Sequence, residues 1–395
     1  MLQGKTVVLG VTGSIAAYKI ANLTSMLIKQ RADVHVIMTE HATKFIHPIT
    51  FETLTNHKCL VDTFDRNFNY NIEHVALGER ADVVLVAPAS ANIIAKMANG
   101  IADDMLSTTV LACKCKKIVA PAMNTNMYEN PVVQANIQKL RDFGMEVLEP
   151  DCGLLACRAM GKGKMPSEEI LLEYILQEIQ YPHDMAGKKV LVTAGATREA
   201  IDPVRYITNH STGKMGYALA AVAARRGAEV TLISGNTSLR PPLGVHVVNT
   251  ESAADMFDAV QSAAAKQDIF LMAAAVADYT PERVSREKMK KSGQGCCIAL
   301  KRTVDILQWL GENKREGQFV CGFSMETEHL LENSRKKLVK KKADMIVANN
   351  LRTEGAGFGT DTNVVTLITQ EESQKLPRMS KEEVAVRILN RILSE

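Results

Sequence analysis

Three residues in the first half of the chain could together run acid–base chemistry. His74, in Asn71-Ile72-Glu73-His74-Val75, is the residue type that exchanges a proton near neutral pH. Asn124, in Pro121-Ala122-Met123-Asn124, can grip a carboxylate without adding charge. Cys157 lies in a run carrying Gly153, Gly161 and Gly163, with Arg158 and Lys162 close by. Neighbouring cations favour a thiolate, and glycines let a segment open and close. A base, an amide and a thiol on a hinged flap suit a site that closes over its substrate and moves protons. A second strand-and-turn restarts at Gly187, which predicts a second site.

Around these residues the first half offers anion donors. Gly13-Ser14-Ile15 sits where a buried strand hands over to a helix, a place where free N–H groups and the positive helix end attract phosphate. No G-x-G-x-x-G follows, so a dinucleotide fingerprint is absent. Thr39, Ser90, Asn92 and Ala122 follow other strands. Together they suit a phosphate and a planar ring with polar edges. In the second half, the run Asn209-His210-Ser211-Thr212-Gly213-Lys214-Met215 mimics a P-loop. It fails the test, because positions 208 and 215 hold Thr208 and Met215 rather than Gly and Ser or Thr.

Stepping along the chain, apolar runs and helical periodicity alternate. In the first half, strands are predicted at 6–11, 33–38, 82–87, 117–120 and 145–148. Helices are predicted at 14–30, 91–96, 104–113, 131–143 and 167–179, the last capped by Ser167. Gln180 to Gly187 breaks the pattern. The second half restarts with strands at 189–193, 229–234, 268–275, 319–323 and 345–348, and helices at 215–226, 253–266, 327–342 and 381–393. Such alternation predicts an α/β chain of two doubly wound, Rossmann-like domains, at 1–180 and 186–395, with ligands at the strand C-terminal ends.

Composition fits this reading. Hydrophobic residues are 46% and charged residues 23%, as in globular proteins. Lys+Arg 47 against Asp+Glu 44 gives +3, too little to argue for nucleic acid. Eight cysteines with no C-x-x-C read as reduced thiols rather than a disulfide framework, so a cytoplasmic protein is expected. Cys113 and Cys115 would point to opposite faces of a strand. No apolar run reaches a membrane span.

Gly13-Ser14-Ile15-Ala16, Pro88-Ala89-Ser90-Ala91-Asn92, Pro121-Ala122-Met123-Asn124 and the Cys157 flap resemble the homo-oligomeric, flavin-containing cysteine decarboxylases, the phosphopantothenoylcysteine decarboxylase group and its relatives. The resemblance implies a flavodoxin-like first domain and an FMN that acts as electron sink. Gly13, Ser14, Ile15, Thr39, Ser90, Asn92 and Ala122 would hold it. It implies His74 as base, Asn124 on the substrate carboxylate with Met127 beside it, and Cys157 as proton donor. Ile93 stands where the family has Thr.

The second half resembles phosphopantothenate–cysteine ligase. The similarity runs through Asp202-Pro203-Val204-Arg205, Ala273-Ala274-Ala275-Val276-Ala277-Asp278, Lys288-Met289-Lys290-Lys291, Gly322-Phe323-Ser324-Met325 and Gly357-Phe358-Gly359-Thr360-Asp361. Val304 stands where the family has Pro. This resemblance implies an acyl-cytidylate route from 4′-phosphopantothenate, cysteine and CTP with Mg²⁺. Asp278 and Phe323 would contact cytidine, alongside Ala273, Ala274, Ala275 and the loop Val304-Asp305-Ile306-Leu307. Lys337 and Lys341 would meet phosphates. Lys288 would support acyl-cytidylate formation, and Asn209 would orient it.

The two resemblances cover nearly the whole chain and imply trimers of the first domain, dimers of the second and hence a dodecamer. A regulatory flavoprotein would leave the second half unexplained. A flavin-prenylating enzyme would lack the Cys157 flap.

Overall fold

The computed structural model describes residues 2–64, 73–154, 160–290, 297–326, 328–350 and 359–394. Cys157 falls outside the described residues. The chain divides into two compact units, Met1–Tyr181 and Pro182–Glu395.

In the first unit, β1 (Thr6–Val11), β2 (Asp33–Met38), β3 (Val83–Ala89), β4 (Lys116–Pro121) and β5 (Glu146–Val147) form one parallel sheet in the order β2-β1-β3-β4-β5. That is the flavodoxin-like order, which reverses between β1 and β3. Strands buried on both faces read as unbroken apolar runs, and β1 is buried throughout. Its alternate residues feed two cores. Val7, Leu9 and Val11 pack with the helices Ala17–Lys29 and Glu168–Ile179. Val8 faces the layer of Ala91–Asn99, Met105–Ala112 and Pro131–Asp142.

The first helix begins at Ala17 rather than Ser14. The chain spends the difference on turns, in which Ser14 N–H donates to the Thr12 carbonyl (2.8 Å) and Ala17 N–H to that of Ser14 (3.0 Å). Cys113 and Cys115 are not on a strand. Cys113 ends helix Met105–Ala112 and Cys115 lies in the turn before β4, so the opposite-faces expectation does not apply. The two thiols interact. Hydrogen bonding to Cys115 together with burial raises the Cys113 thiol, and that same bond, aided by the Lys117 charge, lowers Cys115 to about 7. Beyond the sheet, β6 (Asp151–Leu154) and β7 (Met160–Lys164) form an antiparallel hairpin that the periodicity did not predict.

The second unit opens with β8 (Lys189–Ala194), a short hairpin of β9 (Arg198–Ala200) and β10 (Tyr206–Thr208), β11 (Glu229–Ser234), β12 (Val245–Asn249) and β13 (Ile269–Met272). A small antiparallel pair follows, β14 (Tyr279–Pro281) with β15 (Leu300–Arg302). Then come β16 (Phe319–Glu326), β17 (Met345–Asn350), β18 (Thr362–Asn363), β19 (Val365–Ile368) and β20 (Ser373–Lys375). The main sheet runs β12-β11-β8-β13-β16-β17-β19-β20. Its first six strands are parallel in the Rossmann order. β19 and β20 add an antiparallel edge.

The strand expected over 268–275 stops at Met272 because the next residues leave the ladder for bonds to the β8 exit. Ala274 N–H donates to Thr193 Oγ1 (3.2 Å), Ala275 N–H to the Gly195 carbonyl (2.9 Å) and Ala277 N–H to Thr197 Oγ1 (3.0 Å). Among the described residues, no helix is long and apolar enough to cross a membrane.

Candidate active sites

In the first unit the strand order reverses between the ends of β1 and β3, and Thr12 ties those ends together. Its hydroxyl donates to the Pro88 carbonyl (2.7 Å) and accepts from Ser90 N–H (3.0 Å). Thr12 is 1% exposed. The motif reading passed over it. A lone Thr ending an apolar strand just before a glycine was the available signal.

Beside Thr12, the N–H groups of Gly13 and Ile15 have no hydrogen-bond partner among the described residues. A Cβ at position 13 would stand 2.7 Å from His41 Cβ, which keeps this turn bare. Free donors in a turn with no room for a side chain fit an anionic tail. Thr39 and Ser90 each cap the helical turn that follows them. Thr39 Oγ1 accepts from Ala42 N–H (3.3 Å) and Ser90 Oγ from Ile93 N–H (3.5 Å). Ile93 itself is buried in the core behind the rim. Asn92 occupies the first turn of helix Ala91–Asn99. Ala122 N–H donates to the Ala89 carbonyl (3.0 Å), so the loop leaving β4 runs alongside the end of β3.

That loop carries Asn124, which caps the short helix Thr125–Tyr128 by accepting from Asn126 N–H (2.9 Å). Met127, in this helix, is half exposed. The β6–β7 hairpin lies against the same loop. Met123 N–H donates to the Gly163 carbonyl (3.0 Å), and Cβ atoms built at Gly161 and Gly163 would fall 2.6 Å from Thr125 Oγ1 and 2.2 Å from the Met123 carbonyl oxygen. The β7 arm of the hairpin is therefore held on the Asn124 loop, and β6 pairs with it. His74 comes from another element. It lies in the first turn of helix Glu73–Arg80, which feeds β3 and so points its N-terminal end toward the rim.

Among the described residues, one group of metal-ligand side chains lies within mutual reach: Asp33, His35 and His57. It sits at the opposite end of the sheet, around the start of β2. The Arg80 guanidinium donates to Asp33 Oδ2 (3.0 Å) and to His35 Nε2 (3.2 Å), so a cation of the protein already fills the focus.

In the second unit the order reverses between β8 and β13. Their exits, Thr193–Thr197 and Ala273–Ala277, are stitched together by the bonds given above. Gly195, Gly216 and Gly235 keep this corner tight. Cβ atoms at 216 and 235 would meet Ala194 Cβ at 2.5 Å and the Ala196 carbonyl oxygen at 2.6 Å. Asn209 reaches the same loop, its amide donating to the Ala275 (3.1 Å) and Val276 (3.3 Å) carbonyls. The exposed Asp278 is bridged to the next loop, where Thr303 donates through N–H to the Asp278 carbonyl (3.0 Å) and through its hydroxyl to that of Ala277 (2.6 Å). Val304 follows, half exposed. Asp305 then caps helix Ile306–Asn313, which carries Leu307.

Both candidate phosphate lysines are engaged. Lys337 Nζ donates to the Phe323 carbonyl (2.8 Å), while Lys341 Nζ binds Asp305 Oδ2 and Gln308 Oε1 (3.1 Å). Burial works to raise the Asp305 carboxyl. The Lys341 hydrogen bond, the Gln308 N–H and the nearby lysine charges outweigh it and hold the group below its ordinary value. The structure therefore ties Asn209 to the Ala275 and Val276 carbonyls, Asp278 to the loop that leads to Val304, Lys341 to Asp305 and Lys337 to Phe323. Lys288 is exposed on a separate loop, tied to the turn that leads to Asn209.

Two family models match the chain end to end. The flavoprotein family covers residues 1–180, and the C-terminal domain of the DNA/pantothenate metabolism flavoproteins covers 185–395. The chain is 48% identical to the coenzyme A biosynthesis bifunctional protein CoaBC of Bacillus subtilis (strain 168), across 99% of this chain and 97% of that one. Among solved structures, the C-terminal domain of a CoaBC is 46% identical over 53% of this chain and 95% of its own, with a TM-score of 0.46. The FMN-dependent cysteine decarboxylase SpaF is 34% identical over 42% of this chain and 92% of its own, with a TM-score of 0.38. With near-complete mutual coverage at this identity, the chain belongs to the family of coenzyme A biosynthesis bifunctional proteins, a flavoprotein half followed by a pantothenate-metabolism half.

Proposed function

We propose that this chain is a bifunctional enzyme of coenzyme A biosynthesis. The second unit ligates 4′-phosphopantothenate to cysteine with CTP, and the first decarboxylates the product to 4′-phosphopantetheine. The observation that supports the reading is the placement of the motifs: the strand order of each sheet reverses, between β1 and β3 and between β8 and β13, where the chain carries residues that resemble one of the two activities.

In the ligase, the substrate carboxylate attacks the α-phosphate of CTP, giving an acyl cytidylate and pyrophosphate. The cysteine amine then displaces CMP. Lys288 offsets charge as the phosphorus becomes five-coordinate. Asn209, held by two carbonyls, presents a neutral amide to the acyl cytidylate and orients it for the amine. Asp278 and Phe323 flank the cytidine, and Lys337 meets a phosphate. Mg²⁺ fits as an ion carried in on the triphosphate, the usual habit of a cation that keeps most of its waters.

In the decarboxylase, the bare, donor-bearing turn at Gly13–Ile15 fits the phosphate of FMN, and Thr39, Ser90, Asn92 and Ala122 border the place for its ring. FMN would supply the electron sink that loss of CO₂ requires. His74 takes the proton at the oxidation step, and Asn124 holds the carboxylate with Met127 beside it. Cys157 returns a proton at the end. A homo-oligomer is part of this proposal.

One assay tests both halves. Incubation with 4′-phosphopantothenate, cysteine, CTP and Mg²⁺ should release pyrophosphate and CO₂. Pyrophosphate without CO₂ would remove the decarboxylase half; no pyrophosphate would remove the ligase half, and presynthesised 4′-phosphopantothenoylcysteine then tests the first unit alone.

A further inference from the structure

Asp202, in the second unit, accepts five hydrogen bonds and belongs to no role assigned above. It is 2% exposed. Its Oδ1 accepts from the N–H groups of Val204 and Arg205 (both 2.8 Å). Its Oδ2 accepts from Arg205 Nε (2.9 Å), from the other end of the same guanidinium, and from Met289 N–H (3.1 Å). The Arg205 fork holds the carboxyl far below the ordinary carboxylate range, against the pull of burial. A carboxylate offers about four lone-pair directions. With five donors on two oxygens, Asp202 has no acceptor capacity left for a cation or a substrate.

What these bonds join is specific. Met289 follows Lys288 directly. Its N–H is held by Asp202 and its carbonyl accepts from the Arg205 guanidinium (2.9 Å), so residue 289 is gripped through the peptide groups on both of its sides. Ser285 N–H donates to the Ile201 carbonyl (3.0 Å), which fixes the other side of the same loop. Beyond the turn, the strand after Arg205 runs through Thr208, whose hydroxyl donates to the Thr197 carbonyl (2.7 Å), directly into Asn209. One turn therefore anchors the base of Lys288 and leads to Asn209.

We infer that Asp202, with Arg205, is a positioning residue for the ligase reaction: it fixes the backbone of Lys288 relative to Asn209. The inference rests on the ligase reading above. Lys288 has a long, flexible side chain, so its value to a transition state depends on where its backbone is held, and a displacement of about 1 Å can cost on the order of a hundredfold in rate. In Asp202→Asn the negative charge is lost, and one oxygen becomes an NH₂ that cannot accept. The grip on residue 289 then loosens while the hydrogen bonds between the β8 and β13 exits stay intact.

The test uses the full chain, with Asp202→Asn and Arg205→Gln made separately. For both variants, kcat for CTP-dependent pyrophosphate release should fall at least about tenfold, while KM for CTP stays within about twofold. A second readout is labelling of Lys288 by an amine-reactive ester, followed by mass spectrometry. CTP and 4′-phosphopantothenate should protect Lys288 in the parent chain but not in Asp202→Asn. Decarboxylation of presynthesised 4′-phosphopantothenoylcysteine should be unchanged. Wild-type kcat in Asp202→Asn would overturn the inference. So would parallel loss of kcat and CTP affinity, which marks general loosening of the unit. A parent chain that releases no pyrophosphate would instead bring down the ligase reading itself.

Discussion

Thr12 illustrates what single residues contribute to these sites. It touches no predicted substrate group, yet it bridges the Pro88 carbonyl and the Ser90 N–H inside the core. Thr12→Val keeps the shape and strands both partners. A buried polar group left unpaired costs about 1–3 kcal/mol. We therefore expect a lower urea midpoint for the first unit and easier loss of FMN on dialysis, with Thr12→Ser close to the parent on both. Equal flavin retention in the valine variant would show that the rim does not depend on this bridge. Residues of this sort were hard to read from sequence. Gly13, Asn124, Asn209 and Asp202 stand in recognisable motifs, whereas the backbone groups that Thr12 and Asp202 hold at Pro88, Ser90 and Met289 lie far along the chain. Their partners appear only when the sheet has closed.

Elements were legible where one physical signal dominated. Thr6–Val11 is an unbroken apolar run because both sheet faces are covered, and Glu168–Ile179 carries its cap in Ser167. The β6–β7 hairpin had no such signal. Asp151 to Leu154 and Met160 to Lys164 are glycine-rich, polar and largely exposed, so no period of two stands out. What fixes the hairpin is tertiary, its contact with the Met123–Thr125 loop. Gly163 has φ +142, and a Cβ there would lie 2.2 Å from the Met123 carbonyl oxygen, so no side chain fits without moving the hairpin. Gly163→Ala should lower the decarboxylation rate at least about tenfold with FMN content unchanged. Gly153→Ala is the control, since its Cβ meets only the Lys164 side chain at 3.6 Å. Equal rates for the two variants would remove the hairpin from the mechanism.

The segment leading into the second unit makes a separate contribution. Arg226 is 4% exposed and donates to both oxygens of Asp184 (2.7 and 2.5 Å) and to Asn390 Oδ1 (2.7 Å). The Arg226 hydrogen bonds and charge, against opposing burial, hold the Asp184 carboxyl below its ordinary value. A depressed native value means the stabilisation is present above the unfolded carboxylate pKa, about 3.9, and is lost as pH falls through the native one. In a fragment spanning 182–395, urea midpoints should therefore drop on acidification below about pH 4 more steeply than in its Asp184→Asn variant. A fragment starting at 187 should be weaker at pH 7 as well, by about 1–3 kcal/mol, because a buried guanidinium loses its partner. Identical midpoints for the two fragments would show that the clamp adds nothing.

At the scale of the whole molecule, the first unit leaves apolar side chains exposed near the turns that follow β1 and β2. Ile15 and Tyr18, at the entry of the first helix, are 56% and 59% exposed, and Phe45 and Ile49, just beyond Thr39, are 48% and 58%. Four large apolar groups bordering a polar rim form the kind of patch that a monomer rarely leaves wet. A flavin ring seated at that rim would also need shelter from water while it is reduced. Another copy of the same unit would cover both at once. The resemblance to the flavin-containing cysteine decarboxylases implies a trimer there and a dimer in the second unit. Three-fold and two-fold axes in one assembly close into a point group, and a dodecamer satisfies both. Sedimentation should then give the mass of twelve chains, and the isolated first unit should remain trimeric. Replacing Ile15 and Tyr18 together by Asp should dissociate the first unit and abolish decarboxylation, while CTP-dependent pyrophosphate release persists in the second. An FMN-loaded monomer that decarboxylates at the rate of the assembled protein would show that each chain shelters its own flavin.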